Sequence, residues 1–152
     1  MGRLYEFPGG VRLDGHKALS TSTPIIQAEL PKRLFVPLNQ HIGTPAEAIV
    51  SKGDQVKKGQ LIARVDDYVS APVHAPSSGI VVDIQKFPAP HASGLPSDVI
   101  IIETDGRDEW VERGELPDIT AMDPSKLRNM IRNAGIVGLG GAAFPTYIKL
   151  NP

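Results

Sequence analysis

The chain has 152 residues with no cysteine, and 16 basic against 17 acidic side chains give it a formal net charge of -1. A chain of this length can form one domain with a real core, and the near balance of charge argues against a nucleic-acid partner. The composition excludes disulfides and iron–sulfur ligation within these residues, and we find neither a secretory signal nor the roughly 20 consecutive apolar residues that a transmembrane segment needs.

The first segment, residues 1–31, is rich in glycine, serine, threonine and proline. Its apolar residues include the pair Ile25 and Ile26. Segments of this composition are commonly held in place by the surface that they cover. We therefore predict an extended N-terminal arm that wraps a domain surface.

The next segment, residues 32–105, alternates short apolar runs with turn residues. The runs occupy residues 34–36, 48–50, 61–63, 80–82 and 99–102. Apolar runs of this length, separated by glycine, proline, asparagine or serine, predict β-strands. The segment therefore predicts a small all-β unit, so the fold class is mainly β.

Two parts of this unit, residues 50–62 and 75–81, resemble the two halves of a biotinyl or lipoyl carrier domain. The resemblance implies a barrel-sandwich hybrid, in which we expect Val56 and Leu61 to face inward. Carrier domains place their modified lysine at a hairpin tip midway between these motifs. Because the corresponding interval, residues 64–74, contains no lysine, we predict a barrel that does not act as a carrier.

A linker and a helix are predicted after the β unit. Residues 106–122 combine charged residues with turn signals and predict a linker, in which Trp110 acts as a packing anchor. Asp123 followed by Pro124 is typical of a helix start, and Gly135 is typical of a helix end. The apolar residues between them recur at helical spacing: Leu127, Met130, Ile131 and Ala134.

A glycine-dense loop follows at residues 137–146. We expect Gly138, Gly140 and Gly141 to allow positive φ angles and close approach to a ligand, so that main-chain N–H groups can bind a phosphate. The loop has neither the P-loop motif nor the dinucleotide-binding glycine fingerprint. The alternative interpretation is therefore a tight turn that only lets two elements pack closely.

The binding interpretation assigns a role to each residue of the loop. The backbone N–H groups of Gly138, Gly140, Gly141 and Ala142 would bind the phosphate. Thr146 is predicted to open and cap a second helix whose positive end would lie beside the loop, and Lys149 would add a full charge.

This loop, with Lys149, resembles the Gly-Arg-Gly-Gly-Ala-Gly-Phe-Pro-Thr loop and following lysine of the flavin- and NADH-binding subunit of respiratory complex I. In that family the loop cradles FMN and leads toward the NADH pocket. Leu139 stands where that family has arginine, and Ala143 stands where it has glycine.

The whole chain is similar to the N-terminal part of the C subunits of Rnf-type ion-translocating ferredoxin:NAD oxidoreductases. The blocks that carry this similarity occur in the family's order at residues 7–10, 16–17, 37–43, 53–56, 71–76 and 138–150. The resemblance implies that residues 123–152 begin an α/β domain that binds FMN and NAD(H). It also implies 4Fe-4S clusters held by cysteines further along a longer protein.

The resemblance further implies a function for that longer protein. It would be a peripheral subunit at the cytoplasmic face of the bacterial inner membrane, passing electrons between ferredoxin and NAD(H) with the other subunits of a membrane complex. This chain would be an N-terminal fragment, inactive alone and binding flavin weakly or not at all, because a pocket with one wall supplies few convergent groups.

Two alternatives remain open at this point. The chain could be a non-catalytic adaptor whose barrel docks on a partner, or it could belong to the A subunit of a related sodium-translocating NADH:quinone reductase. Cysteine clusters encoded after residue 152 would favour an electron-transfer subunit, and a stop codon would favour the adaptor.

The four histidines, which are His16, His41, His74 and His91, lack the spacing of a metal site. We expect His41 and His74 to fix loops through hydrogen bonds or to face a neighbouring domain.

Overall fold

The computed structural model of the chain describes residues 9–10, 13–90, 93–115 and 117–151. The elements run in the order α1 (Ala18–Thr21), β1 (Arg33–Pro37), β2 (Glu47–Ala48), β3 (Gln55–Val56), β4 (Leu61–Arg64), β5 (Val73–His74), β6 (Gly79–Pro88), β7 (Pro96–Thr104), a 3₁₀ helix (Ile119–Ala121), α2 (Pro124–Asn133) and α3 (Thr146–Lys149). Strands dominate and the helices are few and short, so the predicted mainly β fold is confirmed.

Two antiparallel sheets form the β unit. One has the strand order β1-β7-β6-β3 and the other has the order β2-β4-β5. The long strands β6 and β7 pair along almost their whole length, and their register shifts between Val81 and Asp83. A bulge of this kind bends a strand and increases its twist, which helps a sheet to curl around a core.

The core is formed by apolar side chains from both sheets. Its members include Val36, Val56, Ile62, Ala63, Val73, Val81, Ile100 and Ile102. Val56 is buried as predicted, whereas Leu61 is 39% exposed, so the prediction that Leu61 faces inward is wrong. The reason is a register shift in β4 between Leu61 and Ala63, which breaks the alternation of the strand and buries Ile62 and Ala63 together.

The N-terminal arm differs from its prediction in the part that the structure describes. Residues 13–31 are exposed throughout, with Ile25 104% and Ile26 84% exposed. Its attachment to the barrel is at the end of the arm, where the hydroxyl of Thr104 donates to the Pro31 carbonyl oxygen at 2.7 Å. The apolar pair therefore covers no surface of the described chain, and the remainder of the predicted arm, residues 1–8 and 11–12, lies outside the described residues.

The start of the predicted linker is fixed to the barrel. The Lys58 N–H donates to the Glu109 carbonyl oxygen at 2.8 Å, and the Val111 N–H donates to the Lys58 carbonyl oxygen at 3.0 Å. The Trp110 ring lies against Gly59, where a β-carbon would be 3.0 Å from the ring. Trp110 thus packs against the barrel, although 45% of the residue remains exposed, and its role as the anchor of the linker stays a prediction. Among the residues that the structure describes, no helix is long and apolar enough to cross a lipid bilayer.

Candidate functional site at the glycine loop

Helix α2 leads into the glycine loop and has the ends that the sequence predicts. Asp123 is the N-cap, and its carboxylate accepts a hydrogen bond from the Ser125 N–H at 2.8 Å. Pro124 occupies the first helical position, and Gly135 follows the C-cap with a φ of 68°. Local capping rules therefore fix where the loop begins.

The end of α2 packs against the barrel through Gly135. A β-carbon at Gly135 would lie 2.6 Å from the Pro72 carbonyl oxygen and 3.3 Å from Nδ1 of His74. Partial burial lowers the pKa of His74, and a hydrogen bond to the Asn133 backbone opposes that shift. His74 thus faces the α2 unit, in agreement with its prediction.

The glycine loop is a short hairpin. Val137 and Pro145 form an isolated antiparallel bridge, and the Gly138 N–H donates to the Phe144 carbonyl oxygen at 2.9 Å. The structure differs here from the sequence prediction, which assigned the N–H of Gly138 to a ligand, because that group is already paired within the hairpin.

The backbone angles of the loop also differ from the prediction. Gly138, Gly140 and Gly141 are not among the positive-φ residues, whereas Ala143 has a φ of 43°. The Ala143 N–H donates to the Gly140 carbonyl oxygen at 3.0 Å. The left-handed position of the hairpin therefore falls on Ala143, where the loop of the complex I family has glycine.

The tip of the hairpin is open. Gly140, Gly141 and Ala142 are exposed, and a β-carbon at either glycine would meet no atom within 4 Å. The N–H groups of these three residues have no acceptor in the part of the chain that the structure describes. Neither backbone angle nor packing requires glycine at positions 140 and 141.

Lys149 lies beside the loop. Its Nζ atom would be 2.8 Å from a β-carbon at Gly138, and it lies 5.8 Å from the centre of the Phe144 ring. The absence of a side chain at Gly138 therefore gives the ammonium group room next to the loop. The structure thus brings Lys149 next to Gly138.

Helix α3 contributes less than predicted. Pro145, not Thr146, occupies its N-cap position, and no side chain caps the helix. Thr146 is instead the first residue of a helix of four residues. One turn sums few peptide dipoles, so the charge near the loop comes mainly from Lys149.

Tyr147 fixes the glycine-loop unit to the barrel. Its hydroxyl donates to the Tyr68 carbonyl oxygen, and the two rings pack edge to face with centroids 5.9 Å apart. Arg132 donates to the Asp67 carbonyl oxygen at 3.4 Å. The segment between β4 and β5 thus contacts the glycine-loop unit at both Asp67 and Tyr68. The sequence did not reveal this contact, since no local pattern links tyrosines 79 positions apart.

A second contact joins the hairpin to the segment after β1. The Ile42 N–H donates to the Ala142 carbonyl oxygen at 3.0 Å. His41 is buried, and its ring nitrogens lie 3.0 Å from the carbonyl oxygens of Ile42 and Ala71. The expectation that His41 fixes a loop is confirmed. The prediction for His91 lies outside the described residues, and no group of three or more metal-binding side chains was found among those described.

Comparison with known proteins identifies similar sequences. The family model described as the RnfC barrel sandwich hybrid domain matches residues 5–107. The chain is 53% identical over 150 residues to the C subunit of the ion-translocating oxidoreductase complex of Pseudomonas aeruginosa, with 99% of this chain and 19% of that protein covered.

Two further relatives match nearly the whole of this chain with comparable sequence identity. The C subunit of the proton-translocating ferredoxin:NAD(+) oxidoreductase complex of Clostridium ljungdahlii is 45% identical over 152 residues, covering 98% of this chain and 32% of the relative. The C subunit of the ion-translocating oxidoreductase complex of Rhodobacter capsulatus is 43% identical over 149 residues, covering 97% of this chain and 28% of the relative. The chain thus spans 19% to 32% of the length of these relatives.

Proposed function

We propose a function from the premise that this chain belongs to the family of the RnfC barrel sandwich hybrid domain. The premise confirms both the resemblance to Rnf-type C subunits and the barrel-sandwich hybrid within the mainly β fold. The relatives are named as subunits of ion-translocating oxidoreductase complexes. We infer that the chain is the N-terminal part of such a subunit, which passes electrons between ferredoxin and NAD(H) at the cytoplasmic face of the membrane.

The proposal assigns a role to each part of the chain. Residues 1–31 are an arm, residues 32–105 the barrel, residues 106–122 a linker, and residues 123–152 the start of an α/β domain for FMN and NAD(H). The barrel would not transfer a group, since the interval 64–74 has no lysine. It would act as the platform on which the glycine loop is held.

One observation carries the binding role: the open tip at Gly140 and Gly141. At Gly79 the fold itself explains the glycine, because a β-carbon there would overlap the Glu103 carbonyl oxygen. At positions 140 and 141 packing gives no such explanation, and their N–H groups have no acceptor among the described residues. Close approach of a ligand to the backbone accounts for both features.

The residues present fit the phosphate of FMN. The N–H groups of Gly140, Gly141 and Ala142 would donate to the phosphate oxygens, and Lys149 would supply the charge. FMN, when bound, would exchange a hydride with NADH and single electrons with iron–sulfur centres. The loop's part is to bind and orient that cofactor beside the barrel.

The charge distribution agrees with an anionic ligand. From residue 119 to the end, the chain has four basic residues and a single acidic one, Asp123. The four basic residues are Lys126, Arg128, Arg132 and Lys149, and none forms an ion pair with a described residue. This part of the chain is therefore biased toward binding anions.

The iron–sulfur clusters do not fit these residues. The chain contains no cysteine, and thiolates are the usual ligands of such clusters. In the proposal the 4Fe-4S clusters and the contacts with ferredoxin and the membrane subunits belong to other parts of the longer protein and of its complex.

The experiment compares two glycine variants in the full-length protein. Both Gly141→Val and Gly114→Val place a side chain in open space at a position without positive φ. We expect Gly141→Val to weaken FMN binding at least tenfold, about 1.4 kcal/mol, because its side chain blocks approach to the N–H groups. Gly114→Val is the matched control and should bind FMN as tightly as the unmodified protein does. Flavin fluorescence measures the binding of each variant.

Two outcomes would contradict the proposal. If the full-length protein binds neither FMN nor NADH, the oxidoreductase role fails. If these 152 residues alone bind FMN tightly and stoichiometrically, the interpretation of the chain as an incomplete site fails, because we expect weak or no binding from it.

A second candidate function is an adaptor whose barrel docks on a protein partner. It is favoured by an exposed aromatic pair on the four-stranded sheet, Phe35 and Phe87, whose ring centroids are 4.6 Å apart. Failure of the full-length protein to bind either nucleotide would leave this candidate in place. The alternative of a quinone-reductase A subunit has no comparable observation in its favour.

A further inference from the structure

We propose that the barrel supplies the second wall of the glycine-loop site, and that the side-chain amides of Asn39 and Gln40 contact the ligand. This inference rests on the proposed function and extends it, because it gives barrel residues a direct part in binding. The ligand class is a phosphorylated mononucleotide, FMN, whose uncharged polar part would lie against the barrel.

The first support is a cavity between the two parts of the chain, with a volume of about 620 Å³. One wall is formed by Gly141, Ala142 and Ala143, and the other by Pro37 with residues 39–42, while residues 89–90 complete the rim. Cofactor sites commonly measure about 300 to 1,000 Å³, so the space suits a mononucleotide.

The two walls are held at a fixed separation. The hydrogen bond from the Ile42 N–H to the Ala142 carbonyl oxygen joins them directly at 3.0 Å. Within the barrel wall, the buried ring of His41 hydrogen-bonds to the backbone of Ala71. Fixing both walls before the ligand arrives lowers the ordering cost of binding.

The barrel wall presents amides that are free to bind. Gln40 donates from Nε2 to the Pro37 carbonyl oxygen at 2.9 Å, which orients the amide and leaves Oε1 available as an acceptor. The Asn39 side chain is exposed and has no hydrogen-bond partner in the described part of the chain. An amide can both donate and accept, which matches the hydroxyls and the ring edge of a flavin.

The chemistry of the two walls fixes the orientation of the ligand. N–H groups without an acceptor among the described residues lie on the loop wall, with Lys149 beside that loop. The barrel wall offers neutral amides and the engaged ring of His41. A phosphate is therefore placed at the loop, and the uncharged end of the molecule at Asn39 and Gln40.

The test uses the full-length protein with both amides removed, N39A/Q40A. The matched control is Q27A/N129A, which removes two exposed amides outside the cavity. Each lost hydrogen bond of this type costs about 1 kcal/mol and two are removed, so we expect the Kd for FMN to rise roughly 30-fold in N39A/Q40A and to stay within about twofold in the control. Flavin fluorescence gives the Kd, and the flavin absorption bands should shift in N39A/Q40A at saturation.

The outcomes separate this inference from the function on which it rests. An unchanged Kd for FMN in N39A/Q40A, with binding still lost in Gly141→Val, would overturn the barrel wall and leave the proposed function intact. A rise in the Kd for NADH alone would overturn the assignment of the wall to FMN. Absence of binding by the unmodified protein would refute the proposed function, and this inference with it. Thermal melts without ligand check that both double variants are folded.

Discussion

Asp105 shows how single side chains fix the linker to the barrel. Its carboxylate accepts hydrogen bonds from the Arg107 N–H at 2.9 Å and from the buried Ser78 hydroxyl at 2.7 Å. The hydrogen bonds from the Arg107 backbone and from Ser78 lower the pKa of Asp105 to about 2. The folded chain therefore favours the ionised form of this group more strongly than the unfolded chain does.

This shift predicts acid sensitivity. A carboxylate with a lowered pKa contributes stability above its unfolded pKa, near 3.8, and that contribution is lost as pH falls toward 2. We expect the Tm of the chain to fall between about pH 4 and pH 2, and Asp105→Asn to flatten part of that fall. Glu29→Gln, on the exposed arm, is the control. Identical Tm profiles for Asp105→Asn and the unmodified chain would contradict the assignment.

At the residue scale, the sequence predicted where the glycine loop lies but not the backbone φ angles of its residues. Gly138 makes room for Lys149, as expected of a turn that lets two elements pack closely, whereas the close approach of a ligand stays a prediction. The sequence did not reveal that Ala143 has the positive φ or that the N–H of Gly138 is paired. Both features depend on where the hairpin bridge between Val137 and Pro145 forms. That bridge is a pairing between two residues, and the type of a single residue does not predict it.

At the scale of elements, the sequence predicted the ends of helix α2 but not the contacts that hold the glycine-loop unit on the barrel. Asp123, Pro124 and Gly135 mark α2 because capping depends on residues within one turn of the helix. The contact between Tyr147 and Tyr68 depends on how the chain folds over a long separation, and no periodicity reports it. In β4 a register shift likewise overturned the simple alternation expected for Leu61.

The docking of α2 on the barrel gives a prediction at this scale. Gly135→Ala would require a side chain at a φ of 68° and only 2.6 Å from the Pro72 carbonyl oxygen. We expect the free energy of unfolding to fall by about 1 to 3 kcal/mol, from backbone strain and the shift needed to relieve the contact. Gly114→Ala, in open space without positive φ, should change it by less than about 0.5 kcal/mol.

Hydrogen exchange then locates the effect. In Gly135→Ala the amides of α2 should exchange faster, while those of β6 and β7 keep their protection. Equal loss of protection in both regions would show that the barrel and α2 unfold together, which would contradict a separately docked unit.

On the scale of the whole molecule, the structure is a barrel with a helical unit fixed to it by contacts such as that between Tyr147 and Tyr68. Strand content and the position of the core followed from apolar runs such as 99–102, whose residues are all buried, because burial of such a run is a property of the sequence pattern. The arm did not follow its prediction, since an apolar pair such as Ile25 and Ile26 indicates a need for burial without indicating the surface that meets it. The cavity between the barrel and the loop arises from the assembly of both parts.

The same substitution at two isoleucines tests this description of the whole molecule. Ile100→Ala removes a fully buried side chain from the core, and we expect it to lower the free energy of unfolding by about 2 to 5 kcal/mol. Ile26→Ala removes a side chain that is 84% exposed and should change it by less than about 0.5 kcal/mol. Denaturant titration of the 152-residue chain measures both. A large loss of stability in Ile26→Ala would mean that the arm packs on the barrel after all, and would restore the wrapping arm that the sequence predicted.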